Sequence, residues 1–110
     1  MEEYTRGEYP VLYAVIHEED ISATADLSDG DLVDPSAVQI IVWDFMHNVV
    51  QTLDDMTKSS TGIYLYSDYQ IAVTAPVSDI LPYEYEVYAV DGSSKRVIKK
   101  GYFMVKEHIT

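Results

Sequence analysis

Histidines, crowded carboxylates and tyrosines are the side chains in this sequence that could hold or act on a ligand. His17, His47 and His108 fall in a turn, a hairpin loop and the tail, and no two of them have metal-ligand spacing. Histidines scattered in this way are expected to be solvated. Asp26, Asp29, Asp31 and Asp34 crowd one stretch, and hard cations such as calcium take several carboxylate oxygens. The stretch lacks the EF-hand order, in which a glycine follows three spaced acids and a glutamate closes the loop. Turn-forming aspartates are therefore expected there, and at Asp54-Asp55 as well. Nothing supplies a nucleophile or acid–base pair held in a pocket. The expectation is a protein that is not an enzyme, with no catalytic residue, cofactor or metal.

Tyrosine is the one compositional excess, with ten in 110 residues. In a strand-rich chain most should be strand formers with one wet end. Tyr64, Tyr66, Tyr83 and Tyr85 are expected in the core or at a corner. Tyr4, Tyr9, Tyr69, Tyr88 and Tyr102 cannot all fit inside beside them, and surface tyrosines are enriched at interfaces.

The elements that must position these residues are short strands. Pro10, Pro35, Pro76 and Pro82 cut the chain, and five glycines add turn signals. Between them lie runs rich in Val, Ile, Tyr and Thr, which suit a pleated, half-buried surface. Strands are expected at Val11–Ile16, Ile21–Leu27, Val38–Trp43 (central, covered on both faces), Val49–Leu53, Ile63–Tyr66 with Tyr69–Val73 (one bent strand or two short ones), Glu84–Val90 and Val97–Val105. "HEED", Ser28–Asp31, Asp44–Asn48 and Asp91–Ser94 read as turns, and "DDMTKSSTG" as a connection whose Met56 plugs the core. Strands spaced at roughly 8–14 residues, with no repeat and no linker, predict an all-β fold: one antiparallel sandwich of seven or eight strands. Residues 10–108 form that domain, and residues 1–9 an amino-terminal arm or edge segment. In the closing hairpin Val87 is expected opposite Ile98, and Phe103 and Val105 have the opposite parity to Ile98. A bulge near Lys99-Lys100-Gly101 would restore the phase.

The chain carries a formal charge of −12, with 18 of its 19 acids and only Arg6 and Lys58 among its bases before residue 95. An acidic body disfavours nucleic acid as a partner. Lys95, Arg96, Lys99, Lys100 and Lys106 crowd the end, as suits a terminal strand lying beside an acidic neighbour. There are no cysteines, the amino terminus does not have the pattern of a signal peptide, and no run approaches the length of a membrane span. A protein made and kept in a cytoplasm is expected, with no membrane partner.

Two resemblances sharpen this reading. "Leu81-Pro82", with Tyr85, Val87 and Ala89 behind it, resembles the start of strand F in fibronectin type III and related immunoglobulin-like (Ig-like) domains. The resemblance implies that Tyr85 is the tyrosine corner, bonding back to the backbone near Ser78–Leu81. The succession "LVDP", "VQIIVWD", "MTK", "TGIYLY" and a closing Phe103-x-Val105 is similar to the small stand-alone Ig-like virion proteins of tailed phages and archaeal viruses. These decorate heads, join head to tail, or sit in tails and baseplates. The likeness implies a structural virion protein acting through contacts with other virion proteins or copies of itself, oligomeric in the assembly. Tyr4, Arg6, Tyr9, Tyr88, Lys99, Lys100 and Tyr102 are its candidate interface residues. The amino-terminal segment would then dock on a neighbour, and the Lys99–Lys106 edge would meet an acidic surface. A cellular carbohydrate- or protein-binding Ig-like module is the alternative.

Overall fold

A computed structural model describes residues 2–17, 34–91 and 94–107. They form eight strands in two sheets and, among the described residues, no helix. The strands are β1 (Glu2–Thr5), β2 (Leu12–Val15), β3 (Ala37–Trp43), β4 (Val49–Asp55), β5 (Thr57–Ser60), β6 (Ile63–Tyr66), β7 (Tyr83–Asp91) and β8 (Ser94–Lys106). One sheet has the order β1-β8-β7-β3-β4 and the other β2-β6-β5. Every pairing is antiparallel except that of β1 with β8, which is parallel. The fold is an all-β sandwich. The expected strand at 21–27, the turns at 18–20, 28–31 and 92–93, and Asp26, Asp29, Asp31 and His108 lie outside the described residues.

Alternation builds the core. Val38, Ile40 and Val42 of β3 turn inward beside Tyr83, Tyr85, Val87 and Ala89 of β7, and Phe103 and Val105 of β8. Leu12, Ala14, Tyr64 and Tyr66 meet them from the smaller sheet. The second face of β3, with Gln39, Ile41 and Trp43, is only half-buried, so the expected cover on both faces is corrected to one. Met56 plugs the core as expected and bonds its amide to the Val38 carbonyl at 2.8 Å. The residues after it are a strand, β5, rather than a plain connection. Tyr69–Val73 is not a strand. Tyr69 and Ile71 are buried, and among the described residues the backbone of Ile71 bonds to Gly7 and Glu8, at 2.7 and 2.9 Å, which is too little for a ladder.

Two aspartates organise connections. Asp44 is buried, and its Oδ1 accepts the amides of Met46 and Asn48, each at 2.9 Å. That short-range capture fixes the turn between β3 and β4. Asp34 accepts from the Lys58 ammonium at 2.6 Å, the Gly62 amide at 2.8 Å and the Tyr64 hydroxyl at 3.1 Å. The Gly62 amide, followed by the Lys58 ammonium, holds its carboxyl below the ordinary value of 3.8. The folded chain thus binds this proton more weakly than the unfolded one. The contribution is complete above the ordinary value and is lost as pH falls through the folded value. The urea midpoint of the wild type should therefore drop more steeply below about pH 4 than that of Asp34→Asn. Identical acid limbs would show that Asp34 contributes nothing.

The closing hairpin contains the expected break in alternation, displaced by one residue. Val87 opposes Lys99 and Tyr88 opposes Val97, which leaves Ile98 as the bulged residue. From Lys99 onward the strand alternates regularly, with Gly101, Phe103 and Val105 on the inner side. Gly101 does not have a left-handed backbone. It is needed for a different reason: a Cβ there would overlap the ring of Tyr85 on the opposite strand.

The corner bond belongs to a different tyrosine from the one expected. The Tyr83 hydroxyl donates to the Pro76 carbonyl at 2.6 Å, whereas Tyr85 lies two residues further along the same face, over Gly101. Both point inward, so parity allows either. The path of the preceding chain decides, because Ser78 bonds to the carbonyl of Val105 at 3.3 Å and brings Pro76 to the first tyrosine.

Candidate functional site

A cleft opens where β8 of the larger sheet runs beside β2 of the smaller one. β8 is 13 residues long, and β1 covers only Phe103 to Lys106 of its outer edge. Among the described residues, β1 is the strand paired with that edge. Across the gap, the Lys99 ammonium donates to the Tyr13 carbonyl at 3.0 Å and sits 4.8 Å from the centre of its ring. The volume between is about 450 Å³. Tyr85 and the bare backbone of Gly101 contribute to one wall, Leu12 and Tyr13 to the other, and Glu2 and Tyr102 also line it. Gly101 is what keeps the cleft this deep, since any side chain there would displace the Tyr85 ring.

Burial pushes the Tyr85 phenol above its ordinary value. Burial, and then a hydrogen bond to Glu2, raise Tyr4 beside it to about 12. Both phenols stay protonated near neutrality and serve as donors and apolar faces rather than as bases. Among the described residues no group of three or more His, Asp or Glu side chains could hold a metal ion. The cleft presents the rings of Tyr13, Tyr85 and Tyr102, the Lys99 ammonium and the Glu2 carboxylate.

The other interface candidates are dispersed. Arg6 donates through Nε to the Ala75 carbonyl at 2.8 Å and pins the segment after β1 to the β6–β7 connection. Residues 2–5 are thus an edge strand of their own chain, with Tyr4 edge-on to Phe103 at 5.7 Å and Glu3 3.1 Å from Lys106. Tyr9 is exposed and bonds to Gln70 at 3.3 Å. Tyr88 and Lys100 lie on the outer face of the larger sheet. There Lys100 meets Glu86 at 3.4 Å and Glu84 at 4.0 Å, and Lys95 sits over the Tyr88 ring. The basic strand does lie beside an acidic neighbour, β7. His47 stacks on Trp43 at 4.8 Å, within 10° of parallel, in the β3–β4 turn.

The structure brings together Tyr85, Lys99 and Tyr102 and adds Tyr13 and Glu2, which sequence reasoning missed. The only local signal for Tyr13 is its outward place in the alternation of "VLYAVI". A second surface was also missed. Val11, Tyr13 and Val15 are 50%, 50% and 41% exposed on the outer face of the smaller sheet. Leu65, also exposed, stands opposite Tyr13, and Ile63 opposite Val15, so the apolar row continues across the strands. Compared with known proteins, the chain matches no family, no curated protein and no solved structure.

Proposed function

We propose that this protein is a non-enzymatic structural module that works through protein–protein contacts, in the manner of the small Ig-like virion proteins it resembles in sequence. One observation carries the contact role. The chain bears a net charge of −12, yet Val11, Tyr13, Val15 and Leu65 line the outer face of a three-stranded sheet with no acid among them. Contiguous apolar surface of this kind on a soluble domain marks an interaction site. The strand order supports the Ig-like part. A β8-β7-β3-β4 sheet packed on β2-β6-β5 follows the G-F-C-C′ over B-E-D arrangement of such sandwiches, with Tyr83 as the corner tyrosine.

Light scattering on the size-fractionated protein tests the contact role. The wild type is expected to exceed its 12.5 kDa monomer mass as concentration rises. Val15→Glu with Leu65→Glu should return it to a folded monomer. A wild type that stays monomeric throughout, and is indifferent to both changes, would remove the main support. The virion part is tested by the gene's neighbours, which are expected to encode capsid, portal or tail proteins.

A further inference from the structure

The turn between β3 and β4 contains an unusual backbone. His47 has a φ of 64°, and among the described residues it is the one residue other than glycine with a left-handed conformation. Glycine would adopt that conformation freely, and an outlier of this kind points to a use for the side chain. The imidazole lies flat on the indole of Trp43, with ring centres 4.8 Å apart and planes within 10° of parallel. Its Nδ1 is 3.9 Å from Oε2 of Glu84, which stands opposite Trp43 on β7. The other oxygen of that carboxylate, Oε1, is 4.0 Å from the Lys100 ammonium, which lies closer to Glu86 at 3.4 Å. Glu84 is thus shared between β8 and the turn. Tyr102 lies across from Glu84 on β8, and Val49, opposite Trp43 on β4, brings no charge. Asp44, the other acid of the turn, is committed to the amides of Met46 and Asn48.

We propose that His47 is a proton-operated latch. As an imidazolium it lies on Trp43 and fastens the β3–β4 turn to β7 through Glu84, and as a neutral imidazole it releases that hold. Both contacts favour the charged ring. A cation over an indole face is attracted by the ring quadrupole, and a carboxylate attracts the imidazolium but not the neutral ring. The hold is therefore present in mild acid. It is lost as pH rises through the range in which imidazoles give up their proton, between about 5 and 8. Lys100 weakens the latch without abolishing it, because it meets the other oxygen of Glu84 and is shared with Glu86. The His47 side chain is 68% exposed, so solvent protons reach it directly and the effect is modest. What changes is local: the grip of the turn and the cover over one face of Trp43. The latch is separate from the apolar face of the smaller sheet and does not rest on the contact role proposed above.

Trp43 is the single tryptophan of the chain, so acrylamide quenching of its fluorescence reads that cover directly. In the full chain the quenching constant is expected to be about two- to threefold lower near pH 5.5 than near pH 8, the scale set by exposed cation–π and ion-pair contacts. His47→Asn tolerates the left-handed backbone. It should lose the pH dependence and be quenched at least as readily as the wild type in its high-pH form. Glu84→Gln should keep the stack at high pH and flatten most of the dependence. The chain has two other histidines, so His17→Asn and His108→Asn serve as controls and are expected to behave as the wild type does. A wild-type constant that stays flat across the range would overturn the latch. So would a His47→Asn variant with the same slope, a Glu84→Gln variant with the full effect, or a control variant that loses it.

Discussion

Replacing Tyr83 by alanine is expected to cost about 3–5 kcal/mol, the usual range for removing a fully buried large aromatic side chain. Its ring lies 5.5 Å from that of Phe103 and 6.4 Å from that of Phe45, and none of its surface reaches solvent. Its hydroxyl ties β7 to the connection from β6 through the Pro76 carbonyl. Burial raises the phenol to about 12, so it remains a donor across the physiological range. Tyr83→Phe isolates the bond and should cost about 1 kcal/mol, the net worth of one neutral hydrogen bond. Tyr85→Phe, on the same face two residues on, should be nearly neutral. The single tryptophan, Trp43, reports all three variants in a urea titration. A Tyr83→Phe variant as stable as the wild type, beside a weakened Tyr85→Phe, would reassign the corner to the second tyrosine.

Gly101→Ala is expected to destabilise by about 1–3 kcal/mol, the typical cost of forcing extra volume into a packed site. The backbone at Gly101 is compatible with any residue, because it does not have a left-handed φ. The whole penalty should therefore come from the Tyr85 ring that lies against it. Combining Gly101→Ala with Tyr85→Leu removes the colliding atoms, and the double variant should recover part of the loss as a coupling between the two sites. Simple additivity, or a neutral Gly101→Ala, would show that the ring moves aside freely. The outcome also bears on the cleft, whose depth depends on the same contact.

Most of the sandwich was legible because its strands alternate. "VLYAVI", "VQIIVW" and "YEYEVYAV" each place apolar side chains at every second position, and each is a strand. β5 was missed because "TKSS" has no apolar face. Its pairing is imposed from outside, by the Thr61-Gly62 turn, where Gly62 adopts a φ of 72°, and by the neighbouring β6. β1 was left between arm and edge strand because "EEYT" is acidic and short. It becomes a strand through the basic end of the chain, where Lys106 and the ring of Phe103 receive it. The phase break in β8 was legible from parity, but its location was not: the pairing runs unbroken from Asp91–Ser94 to Tyr88–Val97, and parity does not say that Ile98 is the residue left over. The cleft could not be read from the sequence at all. Tyr13 and Lys99 are 86 positions apart, and topology alone brings the carbonyl of one to the ammonium of the other.

The parallel pairing of β1 with β8 has a mechanical consequence. The strands lie near opposite ends of the chain and run in the same direction, with Glu2, Glu3, Tyr4 and Thr5 against Phe103 to Lys106. Tension applied between the two ends would pull β1 toward its start and β8 toward its finish, sliding one along the other. The hydrogen bonds between them would then be loaded together, in shear, rather than opened one at a time as in a zipper. Glu3–Lys106 and Tyr4–Phe103 brace the same four-residue patch. In an assembly that holds this domain by its two ends, the patch would act as the clasp that must fail before the core is exposed.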